Sequence, residues 1–408
     1  MQIRSGILLL LVLAVSDFRS ITAQSKVEKA RADLAFKERV NKAISRGAKW
    51  LRKKRGRKSD FGPLPEEGAL NEFNFPSGLT ALAYYTLVTA GQRVKDPAMK
   101  AMYRRLRKRH ARPSTTYERS VLLMAIDSRY SETATGRPRD PVPPGNAGRD
   151  PGKVPPGCLY SRDDWKWAVT HARFLVNAQT RGGWRYYIRN AGLRFDRDVS
   201  ASVFALMGLV KVSRAGYAVP ASTFRGASRF LCDLQQKRPD LTTGEGGLAR
   251  GFPYGPGRDR DAMHISGGTT AAGLAALHLC RLECRRLHVE PDPRIGSAIR
   301  DATRWLEENW EVQRNPKAHH YHYCYLYALE RIGSLSGNET IGKHRWYQEG
   351  AELLLDEQHR KSGKWVDTSC CAPVDVLGTC FALLFLKRAT RTVTEAVPEV
   401  RNPPPRTK

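Results

Sequence analysis

The sequence predicts an all-α repeat protein built from about six helical hairpins. Two Gln-to-Trp segments, Gln179–Trp184 and Gln358–Trp365, each end an amphipathic helix and precede a more apolar one. Glycines in both segments can adopt the positive φ that ends a helix, and the tryptophan can cover such a turn with its large ring. Recurring turns of this kind are typical of repeat proteins, whose units bury their apolar faces against their neighbours.

Each predicted hairpin joins an amphipathic outer helix to an inner helix that is apolar nearly all round. Apolar residues of Trp165–Val176 recur on one helical face, whereas Val199–Val212 and Val376–Leu386 are apolar on every side. The predicted pairs are a helix ending near Leu51 with Leu79–Ala90, Pro97–Arg109 with Thr116–Ile126, Asp163–Gln179 with Asp198–Arg214, Ala221–Gln236 with Gly268–Leu287, Ile295–Trp310 with His320–Ile332, and His344–Gln358 with Asp375–Arg388. They could stack as an open solenoid or close into a ring, and the lack of an obvious polar capping repeat favours the ring.

The N-terminal residues 1–23 have the pattern of a signal peptide. A positive start at Arg4 precedes an apolar run and a plausible cleavage site at Ile21–Ala23. An exported protein, periplasmic or extracellular, is therefore expected, with a retained membrane anchor as the competing interpretation. No later stretch of the sequence is long and apolar enough to span a bilayer.

Residues 24–390 are predicted to form a single domain with one insertion. The segment 131–161 is rich in Pro, Gly, Arg and Asp and is expected to be an irregular loop. The tail 391–408, with its run Pro403–Pro405, is expected to be disordered.

The formal net charge of +28 has two interpretations. A basic cluster at Arg52–Arg55 with Arg57 and Lys58 could hold an anionic polysaccharide or a lipid headgroup. Alternatively, the arginines are simply solvated on helix faces. Nucleic acid is not favoured, because no nucleic-acid motif is present in this apparently exported chain.

Eight cysteines make disulfides possible in an exported protein, but their pairing cannot be deduced from the sequence. Cys158 and Cys370–Cys371 lie in predicted loops and are the better candidates for pairing. The others lie in apolar helical segments, where cysteine often serves as a small core residue: Cys232, Cys280, Cys284, Cys324 and Cys380.

The Gln-to-Trp segments, the inner Phe-Ala-Leu helices and the segment Thr379–Arg388 resemble the prenyltransferase and squalene-oxidase repeat superfamily. That superfamily includes terpenoid cyclases and protein prenyltransferase β subunits. The resemblance covers roughly Trp165–Arg388 and implies an (α/α)6 toroid with a central cavity lined by inner helices. It also implies an apolar or isoprenoid-like ligand. Function must still be argued from the site, because one fold hosts unrelated activities.

The segment Asp196-Arg197-Asp198-Val199-Ser200-Ala201 resembles the Asp-x-Asp-Asp-Thr-Ala motif with which squalene-type cyclases protonate an alkene. The resemblance implies Asp198 as the catalytic acid and Asp196 as its partner, although Val199 replaces the third acid. The residues by themselves indicate a simpler role, in which Asp198 caps the helix that begins at Val199.

Aromatic and histidine residues supply the candidate ligand-binding groups. His320, Tyr323 and Tyr327 would share one face of a helix, where they could form an aromatic wall, a sugar site or ordinary core. His264 precedes an inner helix and could act as an acid/base or help Ser266 to fix the loop. The remaining candidates are Trp184, Tyr186, Tyr187, Tyr254 and Asp375.

No metal or cofactor is predicted. Cys280, Cys284 and His288 align on one helical face but span two turns, which is long for one ion. The Asp-x-Cys pair of prenyltransferase zinc sites and the Asp-Asp-x-x-Asp diphosphate motif are missing.

The leading hypothesis is an exported toroid that binds an apolar or isoprenoid-like ligand, with catalysis left open. One alternative is a glycan-active (α/α)6 enzyme, which needs two carboxylates across a cleft, with Asp196, Asp375 and Glu245 as candidates. The other is a non-catalytic scaffold for an anionic partner.

Overall fold

The chain alternates outer and inner helices, as the sequence predicts. The computed structural model describes residues 31–55, 61, 76–137, 139–142, 152–186, 196–236, 242–244, 247–257, 263–368 and 375–388. Within them lie a helix over residues 31–54 (α1), α2 (Pro76–Thr89), α3 (Pro97–Arg109), α4 (Thr116–Ser128), α5 (Glu132–Thr135), α6 (Arg162–Ala178), α7 (Val199–Arg214), α8 (Ala221–Gln236), β1 (Thr242–Gly244), β2 (Gly247–Ala249), α9 (Gly267–Arg286), α10 (Ile295–Glu308), α11 (His322–Ser336), α12 (Trp346–Glu357) and α13 (Asp375–Leu386). The strands β1 and β2 form a short antiparallel hairpin.

The inner helices α2, α4, α7, α9, α11 and α13 pack side by side in chain order, and α13 packs against α2. The ring is therefore closed, which confirms the (α/α)6 toroid and excludes the open solenoid. Each inner helix follows its outer helix, in the order α1, α3, α6, α8, α10 and α12. No helix of the described residues has the length and apolarity needed to cross a membrane.

Inner helices are buried on several sides because each lies between an outer helix and the rest of the ring. In α7 nearly every residue is buried, including the polar Ser202. Close packing with α4 requires a glycine at position 208, since a Cβ there would lie 3.0 Å from the Cα of Ser120. The all-round apolar pattern of the sequence thus corresponds to an inner position.

The two Gln-to-Trp turns make equivalent hydrogen bonds at two places in the ring. Gln179 Nε2 donates to its own turn, at Gly182 O, and to Thr223 O on the next outer helix α8, both at 2.9 Å. Gln358 Nε2 donates to its own turn and, at 2.9 Å, to Ala43 O on α1. The second turn therefore ties the last outer helix to the first and helps to close the ring.

Both tryptophans are fully buried and join an outer helix to an inner one. The Trp184 indole donates to Leu175 O on α6 at 2.6 Å, and its backbone N–H donates to Ser202 Oγ on α7 at 3.0 Å. Trp365 repeats both bonds, to Leu354 O on α12 at 2.7 Å and to the Thr379 hydroxyl on α13 at 3.0 Å.

A third turn of this kind, which sequence reasoning missed, follows α8. Gln235 Nε2 donates to Arg250 O and, on the next outer helix α10, to Ala298 O, both at 3.0 Å. Phe252 takes the place of the tryptophan, and its backbone N–H donates to Thr270 Oγ1 on α9 at 3.1 Å. The β1–β2 hairpin separates the glutamine from the aromatic residue, so the compact spacing of the other two turns is lost.

The insertion predicted over residues 131–161 is irregular where it is described, except for the one-turn helix α5 that the prediction did not include. Val142 N donates to Arg214 O at the end of α7, and Tyr160 donates to Asp127 near the end of α4. The described part of the insertion therefore packs against the ends, rather than the starts, of these inner helices. The predicted signal segment 1–23 and tail 391–408 lie outside the described residues.

Candidate functional site

All inner helices start at the same end of the ring, because an outer helix returns the chain before each of them. We call this end the mouth. Neighbouring first turns are joined there, since the Tyr117 hydroxyl of α4 donates to Ser200 Oγ of α7 at 2.9 Å. Two other inner helices start with capping boxes, formed by Thr115 on α4 and by Ser266 on α9.

Asp198 caps α7 at the mouth and is fully buried. Its Oδ1 accepts from Ala201 N at 2.7 Å, and its Oδ2 accepts from Arg185 Nη1 at 2.7 Å. Burial raises the pKa of Asp198, whereas the adjacent guanidinium and the hydrogen bonds of the helix N-terminus oppose that change. The capping role predicted from the residues is confirmed, and an ion pair is added to it.

Arg185 connects Asp198 to a group of tyrosines. Its Nη1 also donates to the Tyr254 hydroxyl at 2.9 Å, and the hydroxyls of Tyr254 and Tyr186 are 2.8 Å apart. The Arg185 guanidinium carbon lies 4.1 Å from the Tyr186 ring centroid. We call Asp198, Arg185, Tyr186 and Tyr254 the mouth cluster. Sequence reasoning proposed Asp198, Tyr186 and Tyr254 but missed Arg185, although Arg185 directly follows the first Gln-to-Trp turn.

Among the described residues, the other candidates add no side chain to this cluster. Trp184 is core, because its indole is buried against α6 rather than turned toward a ligand. Asp196 forms an ion pair with Arg197, and its side chain is 36% exposed, whereas that of Asp198 is fully buried. His264 is exposed, and its carbonyl accepts from Tyr254 N at 3.1 Å. Tyr187 lies outside the described residues.

The predicted shared face of His320, Tyr323 and Tyr327 is wrong. His320 is exposed and precedes α11, because Tyr321 has φ 61°, which does not continue an α-helix. The Tyr323 hydroxyl donates to Glu357 on the outer helix α12 at 2.7 Å.

Asp375 lies in a different charged group, at the start of α13. Its Oδ2 is 3.4 Å from Lys364 Nζ and 3.5 Å from Lys54 Nζ. Both ammonium groups lie 5.8 Å from the ring centroid of Trp50. This places an aromatic ring beside two cations and a carboxylate near the mouth.

Aromatic rings form a continuous path from the mouth cluster toward the interior of the ring. The ring centroids of Tyr186 and Tyr117 are 5.7 Å apart, and those of Tyr117 and Phe204 are 5.4 Å apart. Phe204 lies one turn further along α7 than Ser200. We call Tyr186, Tyr117 and Phe204 the aromatic path.

The aromatic path ends at Arg331 of α11. The Arg331 guanidinium carbon lies 5.0 Å from the Phe204 ring centroid and 4.1 Å from that of Tyr327. Tyr327 in turn stacks on Phe381 of α13, with centroids 5.6 Å apart. Because α7 and α11 are not neighbours in the ring, the Arg331–Phe204 contact crosses the interior. We call Phe204, Tyr327, Arg331 and Phe381 the interior layer.

Arg331 is 1% exposed, and its Nε and Nη1 atoms have no hydrogen-bond partner. No carboxylate in the described part of the chain forms an ion pair with it, and the adjacent Glu330 accepts instead from Ser334 Oγ at 2.8 Å. Burying an ion costs several kcal/mol, whereas cation–π contacts return only about 0.5–2 kcal/mol each. The charge of Arg331 is therefore incompletely compensated within the protein.

Comparison with known proteins supports the fold. No protein-family model matches the chain, and no curated protein matches it in sequence. Among solved structures, an alpha-1,6-mannanase of Salegentibacter sp. in complex with alpha-1,6-mannotriose is 10% identical, with a TM-score of 0.55, and the match covers 87% of this chain and 99% of the mannanase. Another structure of this mannanase gives a TM-score of 0.54 at 10% identity, with the same coverage.

A type II terpene cyclase from Scytonema, in complex with its product merosterolic acid A, is 12% identical with a TM-score of 0.49, over 88% of this chain and 99% of the cyclase. At 10% identity, the mannanase structures show a shared toroid fold and leave the ligand to be argued from this chain's own residues.

Proposed function

We propose that the toroid binds an apolar, isoprenoid-like small molecule through its mouth, in an exported protein. The observation that carries this proposal is the aromatic path, which leads from the mouth cluster to the interior layer. Ring faces offer apolar contact area, while the tyrosine hydroxyls satisfy one another and Ser200. A ligand with an extended hydrocarbon body fits these chemical surroundings.

The proposal concerns ligand binding. If the protein also catalyses a reaction, Asp198 is the residue to which we assign the role of the acid. Burial favours its protonated form, whereas the Arg185 ion pair favours the carboxylate. Protonation of a bound alkene would require Asp198 to hold a proton and therefore to weaken that pair. The implied partner Asp196 contacts Arg197 instead, so Arg185 is the group that would control the acidity of Asp198.

Binding can be tested with farnesol as the probe, by titration calorimetry on the full-length protein. Tyr117→Ala should weaken farnesol binding at least tenfold because it interrupts the aromatic path, and Tyr117→Phe should bind as the wild type does. The matched control is Tyr347→Ala, since Tyr347 stacks on Phe385 between an outer and an inner helix, away from the path. Organic extracts of natively purified protein should contain a polyprenoid by mass spectrometry. Failure of farnesol to bind, together with a clean extract, would overturn the proposal.

A glycan-active enzyme is the second candidate, and the similarity to the mannanase favours it at the level of the fold. Glycoside hydrolysis needs one carboxyl group as acid and another as base or nucleophile. In this chain Asp198 is held by Arg185, and Asp375 by Lys54 and Lys364. Glu245 lies outside the described residues. Release of reducing sugar from alpha-mannan, lost in both Asp198→Asn and Asp375→Asn, would support this candidate over the first.

A scaffold for an anionic partner is the third candidate. The basic residues Arg52, Lys53 and Lys54 lie at the exposed end of α1. Binding to an anionic polysaccharide or to anionic vesicles should then weaken steeply as salt is raised from 50 to 500 mM, because exposed charges are screened. Binding that is insensitive to salt would exclude this role.

A further inference from the structure

We infer that Arg331 binds the anionic head group of an amphiphilic ligand, a carboxylate or a related oxyanion carried on an apolar chain. The inference rests on the proposed function and specifies its ligand class. The head group would lie deepest, at the interior layer, and the apolar chain would extend along the aromatic path toward the mouth.

The first support is the contrast between Arg331 and other buried arginines. Arg214 is 2.9 Å from Glu283 on α9, and Arg185 is 2.7 Å from Asp198. Both have carboxylate partners, yet Arg331 is more deeply buried than either of them. Buried polar groups in proteins are nearly always satisfied, so an unsatisfied guanidinium indicates a partner that is not part of the chain.

The second support is that the tyrosines and the cysteine around Arg331 provide no anion at neutral pH. Tyr327 and Cys324 lie toward the mouth on the same helix, and Tyr85 of α2 lies close to Tyr327. Burial raises the pKa of all three groups and keeps them neutral. Glu330 is directed to Ser334. The tyrosine and cysteine side chains beside Arg331 therefore add no negative charge that would repel a bound anion.

The third support concerns the shape of the ligand. Arg331 is closed off from solvent, and aromatic rings separate it from the mouth. A small hydrated anion would lose its water there without gaining apolar contacts. A hydrocarbon chain gains such contacts along the whole aromatic path, which offsets the cost of opening the interior. An amphiphile thus satisfies both the cation and the rings.

The experiment compares two probes of equal chain length, farnesoic acid and farnesol, on the full-length protein by titration calorimetry. Wild-type protein should bind the acid at least tenfold more tightly than the alcohol. Arg331→Met should abolish this preference while farnesol binding is retained. The matched control, Arg300→Met, removes an exposed arginine of α10 and should keep the preference. Arg331→Lys keeps the charge and should retain part of the preference, so a folding defect in one variant does not leave the test without a result.

Equal binding of acid and alcohol by the wild type would overturn the inference and leave the apolar-ligand proposal standing. An acid preference that persists in Arg331→Met would do the same. If neither probe binds, both the inference and the proposed function fail. Sodium acetate and inorganic phosphate are added as competitors, and displacement of the acid by either at a similar concentration would show a free-anion site and contradict the amphiphile.

Discussion

The mouth cluster and the interior layer both contain a buried arginine stacked on aromatic rings, but only the first contains its counter-ion. Arg185 has Asp198 at 2.7 Å, whereas Arg331 has the rings of Phe204 and Tyr327 and no carboxylate. A paired charge is held in place by its partner, and a buried unpaired charge destabilises the protein unless a ligand supplies the partner. The two clusters therefore differ in role. The mouth cluster holds the starts of the inner helices in place, whereas the interior layer is where the charge of a ligand would be neutralised.

The largest expected effect on stability is in the mouth cluster, where the buried arginine has its counter-ion. Asp198→Ala leaves the Arg185 guanidinium buried without its partner and removes the cap of α7. It should lower the free energy of unfolding by about 3–5 kcal/mol. Urea denaturation followed by circular dichroism measures this loss. Asp163→Ala is the control, since Asp163 is exposed in the first turn of α6 and should change stability by less than about 0.5 kcal/mol. Equal losses in the two variants would show that the ion pair contributes nothing.

Substitution by methionine should change the free energy of unfolding in opposite directions at Arg331 and Arg185. Arg331→Met replaces an uncompensated buried charge by an apolar side chain and should stabilise the ligand-free protein by about 1–4 kcal/mol. Arg185→Met leaves the Asp198 carboxylate without its cation and should destabilise it. Chemical denaturation of both variants tests the comparison directly. Destabilisation by Arg331→Met would mean that the rings alone compensate its charge.

A half-buried arginine, Arg119, has a neutral partner, from which a pH dependence of stability is expected. Its Nη1 donates to His171 Nδ1 at 2.8 Å, and the other ring nitrogen of His171 donates to Ala111 O at 3.1 Å. Burial, reinforced by the Arg119 charge, lowers the pKa of His171 from 6.5 to about 3. The folded protein thus binds this proton less readily than the unfolded chain. Stability from His171 is complete above pH 6.5 and is lost as the pH falls toward 3.

Between pH 7 and pH 5 this site should cost about 2 kcal/mol of stability, because each pKa unit corresponds to about 1.4 kcal/mol. His171→Gln should reduce the pH slope measured by urea denaturation. His278, whose pKa is also lowered to about 3, keeps part of the slope in that variant. If the dependence of stability on pH is unchanged in His171→Gln, then His171 is not the neutral partner of Arg119 that we expect.

The last expected effect concerns the turn glutamines, which are uncharged and whose hydrogen-bond acceptors lie within the protein. Gln358→Ala removes two hydrogen bonds to backbone carbonyls, one of them across the closure of the ring, and should cost about 1–3 kcal/mol. Gln235→Ala should cost a similar amount if its turn is equivalent to the two Gln-to-Trp turns. The control is Gln348→Ala, whose amide reaches only the exposed Glu352. Thermal or urea unfolding measures these losses. If Gln235→Ala loses no more stability than the Gln348→Ala control, the third turn is not equivalent to the two Gln-to-Trp turns.

The helices were predictable because their signals are local. Apolar periodicity separated outer from inner helices, and caps such as Asp198 depend on residues only a few positions away. The start of α11 was predicted too early because the left-handed conformation of Tyr321 is set by its surroundings and not by its own sequence. The third turn was missed because an inserted hairpin separates Gln235 from Phe252.

The candidate site was predictable only in part. Asp198 and Tyr254 were proposed and lie together, whereas His320, Tyr323 and Asp196 contact other groups. Arg331 could not be found from the sequence, because Glu330-Arg331 has the pattern of an ordinary charged pair on a helix face.

The sequence by itself determined the helical hairpins, their order and the two compact turns Gln179–Trp184 and Gln358–Trp365, since their signals lie within a few residues. Only the tertiary structure decided which charges are compensated. Whether an arginine is paired depends on residues far away in the chain, such as Phe204 beside Arg331 and Glu283 beside Arg214. Burial gives this pairing its energetic weight. A charge that is removed from water destabilises the protein unless another part of the chain or a ligand supplies the opposite charge.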